Sequence, residues 1–227
     1  MDTAQSMINR VIVRLEDPDY VFFSQDDLIG AYNDALDEIS EATEINETTA
    51  VIKRRKKAAY TDLRGILPAT ALRVTAIWNL NTQRWLHPTT VTELDDLLGR
   101  QWEDKPDTEP RWWWMRGLWH LGAYPVPNAD IANLRIHYAD ILPHVRSDGG
   151  LSQGLGTSPA LPDDFTDAIE NYMLYQLLAQ RKETKKSLDH FKEYKVHEAE
   201  LYKLAHNRMR RDRAGQMGAR RGWGLRR

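Results

Sequence analysis

The chain has 227 residues, of which 41% are hydrophobic and 28% charged, a balance typical of one sizeable folded domain or two small ones. It contains no cysteine, which excludes a disulfide framework, a thiolate nucleophile and a zinc–sulfur site. The net charge of −2 hides an asymmetry, because the residues from Asn207 onward carry eight arginines and one aspartate, a net +7, which leaves −9 for the residues before them. An acidic body with an arginine-rich end indicates an electrostatic partner for that end.

Two amphipathic helices are predicted at the start of the chain. Residues 4–15 place apolar side chains at three- and four-residue steps, and the Asp-Pro-Asp sequence at 17–19 ends this pattern with a turn. Ser24 and Asp27 have the spacing of a capping pair, which would open the second helix. The apolar face of that helix contains Leu28, Tyr32 and Leu36.

From about Thr48 to Tyr138 the pattern changes to short β-rich segments separated by prolines. One short helix interrupts them at 91–98, with Thr90 or Thr92 near its cap. We predict strands at 50–54, 58–62, 72–79, 84–87, 111–115, 118–124 and 133–139.

Two consecutive helices are predicted between Leu161 and Met209. Pro162 followed by two aspartates is a helix start signal, and the helix after it is apolar nearly all round, which is typical of a buried helix. The next helix has a narrower apolar stripe. Six side chains from this pair are expected to hold the core: Phe165, Ile169, Tyr172, Leu188, Phe191 and Leu201.

These elements predict an α+β chain that is mainly α. Residues 1–47 and 161–209 would form a four-helix bundle, and 48–145 would be a β-rich module inserted between its halves. Residues 146–160 are rich in glycine and serine, which predicts a flexible linker. Residues 210–227 lack apolar periodicity, which predicts an extended C-terminal tail that is disordered in isolation.

Four of the eight tryptophans lie close together, at Trp112, Trp113, Trp114 and Trp119. In a strand, Trp112 and Trp114 share one face and Trp113 points to the other. Such a cluster could stack on sugars or bases, or it could pack in the core or at a subunit interface. Packing or an interface is the favoured interpretation, because a small strand module with wide aromatic side chains on both faces needs neighbours.

The arginine-rich end allows three interpretations. It could contact a nucleic-acid backbone, it could dock on an acidic protein groove with Trp223 and Leu225 as apolar anchors, or it could be a solvated tail. Protein docking is favoured. The cations of this segment are Arg208, Arg210, Arg211, Arg213, Arg220, Arg221, Arg226 and Arg227.

Chemistry-bearing motifs are missing from the sequence. The seven histidines have neither HxH nor HExxH spacing, the glycine-rich stretch from Gly150 lacks a phosphate-binding Lys-Ser/Thr, and there is no GxSxG. We therefore expect no catalytic residues, no metal, no cofactor and no enzyme activity. No run of about 18 apolar residues occurs, so no membrane span is expected.

Three stretches resemble the head-to-tail adaptor (connector) proteins of tailed bacteriophages, particularly the short-tailed type. Residues 24–40 are similar to the family's early helix, with Asn33, Ala35 and Glu38 in its core. Residues 121–145 resemble its strand, Pro-x-Pro and following strand, and 161–181 resemble its Leu-Pro, acidic start and buried helix. The tryptophan cluster and the long arginine tail are not features of this resemblance.

The resemblance implies a non-enzymatic structural protein of the virion, made in the host cytoplasm and placed at the head-to-tail interface. Such adaptors form a ring of twelve copies beneath the portal, extend the DNA channel and provide the platform for a tail nozzle or tail tube protein. Their C-terminal segment reaches onto the portal, and genomic DNA passes through the ring. By position, 210–227 would be the portal-docking tail, and the four clustered tryptophans would contact the tail or a neighbouring subunit.

Two other classes of function remain open at the level of sequence. A nucleic-acid-binding protein would use the arginine tail and the tryptophans, and its DNA affinity would depend strongly on salt. A tryptophan-lined carbohydrate-binding module is disfavoured by the predicted helices.

Overall fold

The computed structural model describes residues 2–53, 58–99, 102, 106–107, 109–127, 133–146, 153–159 and 161–218. The chain divides into two compact units. The helical unit comprises Met1–Asn46 and Ile141–Arg227, and the strand unit comprises Glu47–Asp140.

Four helices belong to the helical unit: α1 (Ala4–Arg14), α2 (Gln25–Thr43), α4 (Thr166–Gln180) and α5 (Thr184–Gly218). Thr3 caps α1, and Ser24 caps α2 in a reciprocal capping box with Asp27, as its sequence spacing predicts. Glu44 ends α2 in the left-handed conformation, and its N–H donates to the Ser40 carbonyl. The 3₁₀ turn Asp163–Phe165 leads directly into α4.

The core of the helical unit collects the apolar faces of all four helices. Helix α4 lies at its centre, since it packs against α1, α2 and α5. Its buried residues face several directions, which agrees with the prediction of a helix apolar nearly all round. Outside the helices, β11 (Val145–Arg146) pairs in parallel with β12 (Gln153–Gly154).

The strand unit contains two four-stranded sheets. The first has the order β1-β10-β3-β4, in which β1 (Glu47–Lys53) pairs antiparallel with β10 (Asn133–Asp140), and β10 pairs antiparallel with β3 (Ala71–Asn79). The edge strand β4 (Arg84–Trp85) completes it through Trp78↔Trp85. Strand β10 shows register shifts between His137 and Tyr138 and between Ala139 and Asp140.

The second sheet has the order β2-β8-β7-β5 and is built around a hairpin. Strands β7 (Trp112–Arg116) and β8 (His120–Tyr124) pair antiparallel, with Gly117 at φ +61° in the turn between them. Strand β2 (Tyr60–Asp62) lies beside β8, and β5 (His87–Pro88) lies beside β7. The short helix α3 (Val91–Leu98) follows β5, and β6 (Pro106–Asp107) pairs with β9 (Val126–Pro127).

The predicted fold class is wrong. Helix accounts for 45% and strand for 26% of the structure, with five helices and two four-stranded sheets in its described part, so the protein is a sheet-rich α+β fold and not a four-helix bundle with a small insertion. The physical reason is that the strand unit buries its own hydrophobic core between its sheets, around Leu134, Ile136 and Leu121. It is therefore a body of its own and not an appendage of the helices.

The predicted linker at 146–160 and the predicted tail at 210–227 both fall partly on residues that the structure describes. Residues 153–159 fall in the predicted flexible linker, yet Leu155 and Thr157 accept backbone hydrogen bonds from Gln5 and Ala4 at the start of α1. The rest of the linker, except Arg146, lies outside the described residues. The predicted extended tail begins inside α5, whose backbone is helical as far as Gly218, because no glycine or proline interrupts residues 184–214.

Candidate assembly surfaces

The hairpin of β7 and β8 sends its tryptophans to opposite faces of the sheet. Trp113 packs in one apolar cluster, together with Leu121 and Ala123. Trp112 and Trp114 join a second cluster, around Leu94 and Trp102. This division is the one predicted from the alternation of side chains along a strand.

Trp114 is the centre of the second cluster. Its ring makes edge-to-face contacts with Tyr60 and Trp102, at centroid distances of 5.8 and 5.2 Å. Trp102 is buried and donates its indole N–H to Asp95 Oδ1 of α3 at 2.7 Å. It thereby joins α3 to the aromatic cluster. Edge-to-face pairs of this kind add about 0.5–1.5 kcal/mol each beyond the area that they bury.

The tryptophan cluster therefore packs within its own unit. Trp113 and Trp114 are buried, which leaves only the partly exposed Trp112 and Trp119 for a contact with the tail or a neighbouring subunit. Two buried side chains cannot provide a stacking platform for bases or sugars. The indole nitrogens of Trp113 and Trp114 have no hydrogen-bond partner within the described part of the protein.

Five of the nine residues predicted to hold the helical core are buried, namely Leu28, Tyr32, Leu36, Ile169 and Leu201. Three more, Phe165, Tyr172 and Phe191, are partly buried and pack against the same core. Tyr172 contacts Tyr194 at a centroid distance of 5.0 Å, and Phe191 contacts Tyr175 at 4.8 Å. An aromatic contact thus joins α4 to α5.

The placement of Leu188 in the core is wrong. Its side chain is 49% exposed, whereas its neighbour Ser187 is buried and donates to the Tyr175 carbonyl at 2.9 Å. The inward face of α5 follows Ser187, Tyr194 and Leu201, each seven residues after the last. Leu188 is six residues before Tyr194, which turns it about 120° away from that face.

A buried carboxylate escaped the sequence analysis. Glu170 of α4 is buried, with its Oε1 at 2.5 Å from Arg10 Nε and its Oε2 at 3.5 Å from Arg14 Nη1. Arg10 also binds both carboxylate oxygens of Asp2, at 3.0 and 2.9 Å. Hydrogen bonds with Asp2 raise the pKa of Arg10, which stays charged. One acid in an apolar helix, 160 positions from its partner, gives no sequence signal.

The described part of the arginine-rich end lies on an overhanging helix. At 35 residues α5 is about 52 Å long, against about 22 Å for the 15 residues of α4, with which it forms a helical hairpin. It therefore extends beyond α4. The backbone positions of Arg208, Arg210, Arg211 and Arg213 are on this overhang, and their side chains lie outside the described part.

The end of the predicted portal-docking tail lies wholly outside the described residues. This holds for Arg220, Arg221, Trp223, Leu225, Arg226 and Arg227. We call residues 206–218 the helical arm, because Ala205 is the last buried side chain described on α5.

An exposed apolar loop between α1 and α2 was also missed. Val21 and Phe22 are 74% and 65% exposed, next to Tyr20, and Val13 of α1 is exposed as well. Four adjacent residues, Tyr20–Phe23, form the only apolar run in this connection, which is the signal that could have revealed it.

Within the described residues, no group of three or more histidine, aspartate or glutamate side chains could hold a metal ion. None of the helices in the part of the chain that the structure describes is long and apolar enough to cross a membrane.

No curated protein matches the chain. The model of the SU10 adaptor protein family matches residues 2–222, which is nearly the whole length and both units. This match agrees with the resemblance to head-to-tail adaptors, and a phage adaptor has a structural role in the virion, between portal and tail components. The chain belongs to the SU10 adaptor protein family.

Proposed function

We propose that this protein is a head-to-tail adaptor that forms a ring beneath the portal, extends the DNA channel and provides the attachment platform for the tail. The family match over residues 2–222 is the observation that carries this proposal. Further support comes from the long helix α5, whose overhang gives one subunit the means to reach a second protein.

The helical arm is the proposed contact with the portal. It carries four arginines and one aspartate, and four more arginines follow it. Arginine binds carboxylates through two parallel hydrogen bonds, so an acidic groove on the portal is the fitting receptor. A helix also presents these cations on a fixed scaffold, and less conformational entropy is lost on docking than for a disordered tail.

The acidic body suits a conduit for DNA. Helix α2 carries six acidic residues and no basic one: Asp26, Asp27, Asp34, Asp37, Glu38 and Glu41. A negative wall repels the phosphate backbone, so the passing genome makes only transient contact and does not adhere. Basic residues lining the channel of the assembled ring would contradict this part of the proposal.

The first experiment measures the mass of the protein by light scattering, alone and mixed with the portal of the same virus. We expect a single stoichiometric ring on the portal. Deleting 210–227 should abolish attachment while leaving the unfolding midpoint nearly unchanged, and the circular dichroism spectrum should lose only the helical signal of 210–218. Deleting only 219–227 is the matched control, because it keeps the arm to Gly218 and its four arginines.

The rival function is nucleic-acid binding. Because Trp113 and Trp114 are buried, only the partly exposed Trp112 and Trp119 of this cluster could stack on bases, and binding would depend mainly on the arginines. If the protein does not bind the portal but binds DNA, with an affinity that falls steeply as the salt concentration rises, nucleic-acid binding would replace the adaptor proposal.

A further inference from the structure

The backbone of the loop between α1 and α2 is held by hydrogen bonds to a buried carboxylate. Asp17 is buried beneath the loop and accepts backbone hydrogen bonds from Val21, Phe22 and Phe23 at 2.8, 2.9 and 3.1 Å. Glu16 and Tyr20 both have φ of +56°, a conformation that non-glycine residues adopt at a cost. Asp17 therefore stabilises the loop backbone against this local strain.

What this loop exposes is apolar. Tyr20, Val21 and Phe22 are adjacent in this loop and exposed, and we call these three residues the apolar knob. One side of the Phe22 ring is covered by the Arg181 guanidinium, 4.9 Å from the ring centroid. Most of Phe22 and Val21 nevertheless remains exposed to water. Complete burial of one such side chain would contribute about 1.5–3 kcal/mol.

Three exposed acidic residues flank the apolar knob in sequence, and we call them its acidic rim. They are Glu16, Asp19 and Asp26. The complementary surface is a partly apolar cavity whose lining includes a cation.

The strand unit has such a cavity. It is about 480 Å³ in volume and is lined by Tyr60, Val91, Trp114 and Met115, by the polar Thr89 and Thr90, and by Arg116. The Arg116 guanidinium lies 5.9 Å from the centroid of the Tyr60 ring, and its side chain is exposed. The volume of the cavity falls in the range of about 300–1,000 Å³ typical of ligand pockets, which is ample for one or two apolar side chains.

We propose that Val21 and Phe22 of one copy insert into this cavity on the next copy, with the acidic rim of the knob facing Arg116. The inference rests on the proposed ring. A closed ring of more than two subunits needs two different patches on every subunit, one complementary to the other. The knob and the cavity are such a pair, since one lies in the helical unit and the other in the strand unit.

The absence of cysteine from the sequence makes a direct test possible. Two single variants, Val21→Cys and Val91→Cys, are mixed in equal amounts with the portal and oxidised. We expect a disulfide dimer containing one chain of each kind. Replacing the second variant by Leu97→Cys is the matched control, because Leu97 is also exposed on α3 but does not line the cavity. A yield no higher than this control would overturn the contact.

A second measurement uses a charged substitution on the knob. Phe22→Asp should weaken self-assembly by about tenfold or more, which corresponds to at least about 1.4 kcal/mol. Val196→Asp on α5 changes an equally exposed apolar residue and should leave assembly unchanged. Equal behaviour of the two variants would contradict the proposal.

The two proposals fail in distinguishable ways. A stoichiometric ring on the portal without the mixed dimer retains the adaptor function and rejects the knob contact. If the unmodified protein does not bind the portal at all, the adaptor proposal itself is rejected, and the knob contact with it.

Discussion

The Trp114 ring occupies the space beside Gly122 that a side chain would need. The two residues are direct register partners across the β7–β8 hairpin, and a Cβ built on Gly122 would overlap three atoms of the indole. Trp114 is in turn surrounded by Tyr60 and Trp102, so it has little room to move. The aromatic cluster of the strand unit therefore depends on the absence of one methyl group.

Gly122→Ala should lower the free energy of unfolding by about 1–3 kcal/mol, the usual cost of forcing an extra group into a packed core. Chemical denaturation followed by tryptophan fluorescence measures it. Gly30→Ala is the control: Gly30 is in α2 with no neighbour within 4 Å of its built Cβ, so alanine should stabilise the protein by about 0.5–1 kcal/mol. Equal effects at the two positions would show that the Trp114 ring moves aside and makes room for the alanine methyl group.

Glu170→Gln should destabilise the protein by about 1–3 kcal/mol, because Arg10 and Arg14 then lose a charged partner. The arginines are partly exposed and partly rehydrated after the change, which keeps the loss below that of a fully buried pair. Glu200→Gln, at an exposed position of α5, should change stability by no more than about 0.5 kcal/mol. Thermal denaturation of both variants provides the comparison.

Phe191→Ala should cost about 1–2 kcal/mol, less than for a fully buried side chain, since Phe191 is only partly covered by Tyr175 and Tyr194. Leu188→Ala is the matched control in the same helix, and its exposed side chain should contribute no more than about 0.5 kcal/mol. The unfolding midpoints in urea measure both. A larger loss of stability for Leu188→Ala than for Phe191→Ala would show that the Leu188 side chain belongs to the core.

Acid should loosen the α1–α2 loop through Asp17. Burial alone would raise the pKa of Asp17, but hydrogen bonds from the backbone N–H groups of Phe22, Val21 and Phe23 lower it below the ordinary 3.8. A carboxylate with a lowered folded-state pKa contributes stability above its unfolded pKa, and this contribution is lost as the pH falls through the folded pKa.

The measurement is the unfolding midpoint as the pH is lowered from 6 through the ordinary aspartate pKa of 3.8. Asp17→Asn should be less stable than the natural protein at pH 6 and should show a smaller further loss on acidification. Asp19→Asn in the same loop, where the carboxylate is exposed, should follow the natural curve. If the Asp17 and Asp19 variants respond alike, the loop does not depend on Asp17.

Local features of this fold could be predicted from the sequence because they depend on near neighbours. The capping box of Ser24 and Asp27 and the helix Val91–Leu98 are found where predicted, and each predicted strand overlaps an observed one. The opposite faces of Trp113 and Trp114 followed from the alternation along a strand.

What could not be predicted depends on distant residues. Strand β1 pairs with β10, whose partner residues come 80 to 92 positions later, and no local pattern encodes that register. The same is true of the two sheets, of the ion pairs of Glu170, and of Trp114 at Gly122. The prediction for Leu188 was wrong for a different reason. Leu188 is apolar and lies at the start of the predicted apolar stripe of α5, but the buried face of that helix passes through the serine before it.

Strand β1 lies at the edge of its sheet, where it could pair with a strand of another molecule. An edge strand can recruit an identical strand from another molecule and propagate into open-ended aggregates. Here β1 ends at Lys53, and four more basic residues follow directly in sequence, Arg54 to Lys57. Two copies that paired in parallel through this edge would bring their Lys53 side chains together. Like-charge repulsion between these lysines therefore opposes the pairing of one β1 edge with another.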